Sequence, residues 1–293
     1  MTEIIKAREI TIHKSKIDQS VNITYPAPNI GIFETRYVRR EDEYFIIYLS
    51  SQSGCDQACK MCHLTATGQN KYENATLEEY LHQAKKVYEH YDVQNKAKLV
   101  HYNYMARGEA LNNELILTDS ALLLSSLNEL ASQRGLESKH LISTILPTSL
   151  GNRELIDIFP EIHPEIYYSI YSMNPKFRKK WLARAQSAER GLEMLKAWQL
   201  ATGKVPKIHF AFIEGHNDSE KDMVEIANAV KAIDLKVNVN IVRYNPQDPK
   251  YKEPSEEVIA YNTNVLRELL EPDQMRVVPK VGLDVKASCG MFI

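Results

Sequence analysis

The sequence predicts an α/β protein built on a parallel sheet, and three observations predict it. Six short runs rich in Ile, Val, Tyr and Phe recur along the chain, as buried parallel strands require. Longer segments with apolar residues at helical spacing separate them. No low-complexity tract or repeat of fixed length breaks the alternation. Six βα units in a row imply helices outside a parallel sheet. They are too few for an eightfold barrel, which leaves an open partial barrel or a doubly wound sheet. In either, ligands gather at the C-terminal ends of the strands.

The elements follow in order. Residues 1–44 read as a short N-terminal extension, with a hairpin formed by 33–38 and 44–48, and residues 45–293 as the core. The six strands are FIIYLS (45–50), KLVHYNYM (98–105), LISTIL (141–146), EIYYSIYSM (165–173), KIHFAFIEG (207–215) and KVNVNIVRY (236–244). A helix over 76–91 opens with Thr76 and carries Glu79 three residues on, the capping-box pattern. Further helices are predicted over 119–133, 187–201, 219–233 and 255–270, with a shorter one after Gly151. MRVVPK (275–280) reads as a last strand that Pro279 confines to an edge or an end.

The 293 residues carry 36 Lys+Arg, 38 Asp+Glu and 44% hydrophobic residues, which places the chain among ordinary globular proteins. No apolar run is long enough to span a membrane, and the first twenty residues lack an apolar signal core. A cytoplasmic protein, unattached to a membrane and monomeric, is the expectation. A formal net charge of −2 argues against bulk coating of nucleic acid. The four cysteines carry more information. Cys55, Cys59 and Cys62 sit in one loop after the first core strand, and Cys289 lies near the end. In a reducing compartment this clustering points to metal. Structural zinc takes four protein ligands, usually as two separated pairs; His63 would complete the set but adjoins Cys62. Three thiolates suit an iron–sulfur cluster that keeps one iron open. Zinc is the alternative.

A CxxxCxxC loop after the first strand of a βα series resembles the radical S-adenosylmethionine (SAM) superfamily. That resemblance implies a partial (β/α)₆ barrel, a [4Fe–4S] cluster on Cys55, Cys59 and Cys62, and SAM on the open iron. Further segments resemble the RlmN/Cfr RNA adenosine methyltransferases: FETRYV (33–38), SSQSGC (50–55), MARGEALNN (105–113), ISTILP (142–147), YSIYSMNP (168–175), FIEGHND (212–218), VNIVRYNP (239–246) and ASCGMF (287–292). By that resemblance SAM contacts fall on Gly108, Glu109, Ser143, Ser169, Tyr171 and Asn245. Tyr171 stands where the family has His, and Ala110 where it has Pro.

The resemblance also implies a mechanism. Cys289 would take a methyl group from one SAM, and a radical made from a second would activate it for attack on carbon 2 or carbon 8 of an RNA adenine. Glu34 would accept a proton. The family's second, resolving cysteine belongs at Tyr48, so the covalent adduct would need another means of release, such as an external thiol. The implied partners are RNA (ribosomal, transfer or a fragment) and a reductant such as flavodoxin or ferredoxin. The 32 residues before Phe33 are too few for the family's helical accessory domain. Between Lys176 and Lys207, nine Lys/Arg against two Glu could track phosphates. Two alternatives stand beside this reading: radical SAM chemistry on a different substrate, and a non-catalytic, metal-containing RNA-binding protein.

Overall fold

In the computed structural model, which describes residues 9–91 and 97–293, the strands join one ten-stranded sheet in the order of the sequence. The first eight residues of the N-terminal extension lie outside the described residues. Strands β1 (Thr11–Lys14), β2 (Val21–Pro26) and β3 (Ile32–Arg39) form an antiparallel meander, and β3 pairs antiparallel with β4 (Tyr44–Tyr48). From β4 on, every pairing is parallel, through β5 (Leu99–Tyr104), β6 (Glu137–Thr144), β7 (Glu165–Tyr168), β8 (Lys207–Ala211), β9 (Asn238–Val242) and β10 (Met275–Val278). This is the partial barrel expected, with β10 as its edge and Pro279 just beyond.

Two strands were not foreseen. In β2 five successive residues are buried, so the alternation that announces a half-buried strand is missing. β1 has only four residues, and most are exposed. β7 is shorter than predicted. After Tyr168 the backbone turns tightly, with Ile170 N bonded to Tyr168 O and Ser172 N to Ile170 O. Tyr171 then takes a φ of 56°, a left-handed conformation that costs a bulky residue energy.

The helices are α1 (His63–Ala66), α2 (Leu77–Tyr88), α3 (Glu114–Ser132), α4 (Leu155–Ile158), α5 (Pro175–Trp181), α6 (Ala188–Thr202), α7 (Glu220–Ala232) and α8 (Glu256–Leu270). Thr76, Ser187, Ser219 and Ser255 each accept a backbone N–H at the start of their helix, satisfying a donor the helix itself leaves free. α3 begins five residues before the predicted start and breaks at Asp119, whose φ of −151° is not helical. The apolar periodicity marked the segment after the break. α5 went unpredicted, although Asn174 caps it and Pro175 occupies its first turn, both readable signals.

Strand alternation sorts the barrel into two faces. Val100, Tyr102 and Tyr104 of β5, Ile208 and Phe210 of β8, and Val239 and Ile241 of β9 belong to the apolar core. The intervening positions, His101, Asn103, His209 and Asn240, face a cavity in the barrel interior. A barrel is ordinarily filled there by branched aliphatic residues. Here those four polar side chains stand among aliphatic ones such as Ile46 and Leu141.

Candidate active site

The cysteine loop is fixed from beneath. Buried Gln83 of α2 accepts from Ser50 N at 2.7 Å and donates to Ser50 O at 3.0 Å. Asn113 Nδ2 donates to Ser51 O at 2.7 Å and to Ala75 O at 2.9 Å, tying the start of the loop to the segment before α2. Gly108 packs on this base with a φ of 96°; a Cβ there would stand 2.6 Å from Ser51 Oγ and 2.8 Å from Gln52 N. Only glycine fits.

Cys55, Cys59 and Cys62 line a cavity of about 160 Å³ at the C-terminal ends of the strands. The same cavity is lined by Gly108, Glu109, Ser143, Ser169, Tyr171 and Cys289. Nine of the eleven residues singled out by sequence are therefore brought together. Burial pushes the Cys55 thiol up to about 12 and Cys62 to about 11, and raises Cys59 as well. Thiols in that state need a bound cation to become ligands. Among the described residues, no three His, Cys, Asp or Glu groups converge as ligands of one metal ion. Cluster thiolates each hold a different iron and need not converge. His63 is turned to the tail instead, its Nδ1 accepting from Phe292 N at 3.2 Å. The donor set fits a cluster with three protein ligands.

Glu109 is the one carboxylate lining the cavity. Its oxygens accept from Leu111 N and Ile145 N, both at 3.2 Å. Burial dominates those bonds and raises its pKa to about 7. A buried carboxylate with no cationic partner among the described residues is suited to receive one, such as an ammonium group.

Glu34 and Asn245 stand outside the cavity lining. Glu34 is fully buried in an ion-pair knot: Oε1 accepts from Asn22 Nδ2 at 2.8 Å and Arg36 Nη2 at 2.6 Å, Oε2 from Arg107 Nε at 3.1 Å and Ile293 N at 3.3 Å. Burial alone would raise its pKa; Arg36 and Arg107 outweigh it and hold the carboxyl below its ordinary value. Asn245 Nδ2 donates to Cys289 O at 2.8 Å and Ser288 Oγ at 3.2 Å. Arg36 Nη1 donates to Ser288 O at 3.3 Å, and Asn22 Nδ2 to Val285 O at 2.9 Å. The antiparallel meander is thus the seat of the C-terminal segment that carries Cys289. Sequence reasoning missed Arg36 and Arg107. The spacing of Glu34 and Arg36 in one strand put them on the same face, which was the available signal.

The side chain of Cys289 is open to solvent within the cavity. The dense protein around it pushes the thiol pKa up, and Arg36 and Arg40 pull against that rise. The basic stretch 176–207 does not form one track. Arg178 and Lys207 are buried, and Arg184, Arg190 and Lys196 pair with Asp56, Glu154 and Asp234. No helix among the described residues is long and apolar enough to cross a membrane.

The parallel partial barrel with the three-cysteine loop at its mouth has the fold of solved radical SAM proteins. A radical SAM methyltransferase from Sphaerobacter thermophilus superposes with a TM-score of 0.79 at 18% identity, over 97% of this chain and 80% of that one. The FeFe-hydrogenase maturase HydG follows at 0.59 and 11%, over 80% and 52%. The chain is a distant homologue of RlmN-like RNA methyltransferases. It is 25% identical over 251 residues to a probable dual-specificity RNA methyltransferase RlmN of Thermosipho melanesiensis, covering 83% of this chain and 68% of that protein. The RlmN of Aliarcobacter butzleri is 27% identical over 263 residues, covering 85% and 67%. A probable RNA methyltransferase of Rhodopirellula baltica is 24% identical across 100% of this chain and 76% of its own length. No family model matches the chain.

Proposed function

We propose that this chain is an RNA methyltransferase in which Cys289 carries the methyl group to carbon 2 or carbon 8 of an adenine. The observation that carries the reading is that Cys289 shares one cavity with Cys55, Cys59, Cys62 and Glu109. The three loop thiolates would hold a [4Fe–4S] cluster, and Gly108, Glu109, Ser143, Ser169 and Tyr171 would hold SAM, with Glu109 against its ammonium group. When bound, the two supply a 5′-deoxyadenosyl radical that abstracts hydrogen.

The chain's own residues do the rest. With SAM bound, the soft sulfur of Cys289 would take its methyl group, the new S–C bond forming as the sulfonium S–C bond breaks and S-adenosylhomocysteine leaves. Arg36 and Arg40 favour the thiolate this needs. Asn245 and Arg36 hold the main chain on both sides of the sulfur, which limits how far it wanders from the cluster side of the cavity. For Glu34, we propose that it positions this tail through Arg36 and Arg107. The proton acceptance that the family resemblance assigns to it needs an oxygen released from its donors, which include both Nε and Nη2 of Arg36.

Tyr48 supplies a phenol where a resolving thiol is expected, and the chain's other three cysteines are in the loop. Release of a protein–RNA adduct then draws on an external thiol. That thiol attacks the Cys289 sulfur, a mixed disulfide forms, and the methylene carbon leaves with the S–C electron pair and takes a proton. Reconstituted protein incubated with SAM, reductant and RNA tests this by mass spectrometry of Cys289. S-methyl-Cys289, and an RNA adduct that dithiothreitol discharges, are expected. Absence of both S-methyl-Cys289 and 5′-deoxyadenosine would sink the reading.

A further inference from the structure

Directly under the active-site cavity lies a second chamber of about 60 Å³, enclosed by the inner faces of β4 to β10. Met105, His209 and Cys289 line both, so Cys289 stands at their junction. Apolar side chains such as Ile46, Leu141, Val242 and Val278 make up much of the chamber's wall, and the charged groups set among them are all cationic. Its arginines come from opposite sides of the barrel, and no aspartate or glutamate lines it.

Two of those arginines are already neutralised: Arg36 by Glu34, and Arg243 by Glu253 and Glu256. Arg40 and Arg276 have no carboxylate within ion-pair distance among the described residues. Arg40 reaches Tyr48 Oη at 3.4 Å, but its Nε is buried with no partner. Three neighbours share that condition: His101 Nε2, Asn103 Oδ1 and His209 Nδ1 are also buried and unbonded. Asn103 and His209 are more than nine-tenths buried. Buried polar atoms without partners are few in native proteins, and four around one chamber mark a place meant to be filled. Burial lowers His101 and His209 to about 4, so at neutral pH they are uncharged rings, each with one N–H to give. The Asn103 amide, turned over, offers N–H as well.

We propose that this chamber binds a phosphate group of the substrate, held by Arg40, Arg276, His101 and His209. Arg40, with its Nε buried and unbonded, favours an anion, and the more exposed Arg276 adds a second positive charge. Donors arriving from four different elements suit a tetrahedral oxyanion, whose oxygens point apart, over a planar carboxylate. The volume admits one such group. A nucleotide seated by its phosphate here would extend upward, toward the sulfur of Cys289. The inference deepens the function proposed above by naming the group that is recognised; the binding itself does not depend on methylation.

The test uses the cluster-loaded protein with SAM. Calorimetry with inorganic phosphate, adenosine 5′-monophosphate, adenosine and an adenosine-containing RNA oligomer compares the ligands. Phosphate is expected to bind, the monophosphate to bind about tenfold or more tighter than adenosine, and Arg276→Gln or Arg40→Gln to weaken phosphate binding about tenfold. Displacement of phosphate by the monophosphate assigns the site to a free or terminal nucleotide, and displacement by the oligomer alone to a phosphodiester of RNA; either supports the proposal. A second readout needs no variant. Phosphate, but not chloride at equal ionic strength, should slow alkylation of Cys289. Phosphate that neither binds nor protects Cys289, or binding unchanged in folded Arg276→Gln and Arg40→Gln, overturns the proposal. Methylation of Cys289 followed in parallel without phosphate reports separately on the function.

Discussion

Asn245 Nδ2 donates to the main-chain oxygen of Cys289 at 2.8 Å, joining the end of β9 to the residue that would carry the methyl group. The bond crosses 44 residues and, with Arg36 bonded to Ser288 O, leaves the Cys289 loop tied on two sides. Removing the amide in Asn245→Ala should therefore free the loop more than it harms the fold. Methylation of Cys289 should slow about tenfold, while the loss of two hydrogen bonds costs about 2 kcal/mol. Time-resolved mass spectrometry and a thermal melt check both. Unchanged methylation would show that Asn245 does not position the sulfur.

Glu109 gives a prediction with opposite signs for stability and binding. Its pKa is raised from 4.5 to about 7, chiefly by burial. The unfolded chain releases that proton earlier, so stability is fully present below 4.5 and is lost as pH rises to about 7. Glu109→Gln should then be more stable than the parent above pH 7, by about 3 kcal/mol, with the gap closing below pH 4.5. SAM affinity should fall at least tenfold. Denaturant melts at several pH values and equilibrium dialysis with SAM measure the two effects.

Glu34 behaves in the reverse sense. Its pKa is held low by Arg36 and Arg107 against the effect of burial. The stability it contributes is present above the ordinary carboxylate pKa and lost as pH falls through its own lower value. Glu34→Gln strands two buried guanidinium groups, at a cost of about 3–5 kcal/mol. Its acid unfolding should lack the portion due to Glu34, and its urea midpoint should drop. A midpoint equal to the parent's would mean that the knot does not hold the tail.

Loading the cysteine loop with metal should release protons, because burial keeps Cys55, Cys59 and Cys62 as thiols at neutral pH. Anaerobic reconstitution with iron and sulfide should acidify a weakly buffered sample and turn it brown. Cys59→Ala should lose the colour and the iron, whereas Cys289→Ala should keep both. A colourless protein holding one zinc would favour the zinc alternative.

Much of the fold was legible because parallel strands and their helices write local patterns: β-branched runs for β4 to β9, and Thr76, Ser187, Ser219 and Ser255 at helix starts. Where burial removed alternation, in β2, or a strained turn cut a strand short, at Tyr171, local pattern misled. The loop cysteines stood out by their spacing and chain position, whereas Glu109 was singled out only by the family resemblance of MARGEALNN (105–113). Arg36, Arg107 and Asn103 were not legible, because a buried ion pair or an unpartnered buried amide depends on what lies opposite.

The sequence by itself determined the alternating α/β chain, the three-thiol loop and a fourth cysteine far from it. Only the tertiary structure decided that Cys289 faces that loop, that Glu34 is locked between two arginines, and that a cationic chamber opens beneath. The physical reason is range. Strand and helix patterns follow from neighbours a few residues apart, whereas charge compensation and cavities arise between elements that meet only when the sheet curls and the C-terminal segment closes over it.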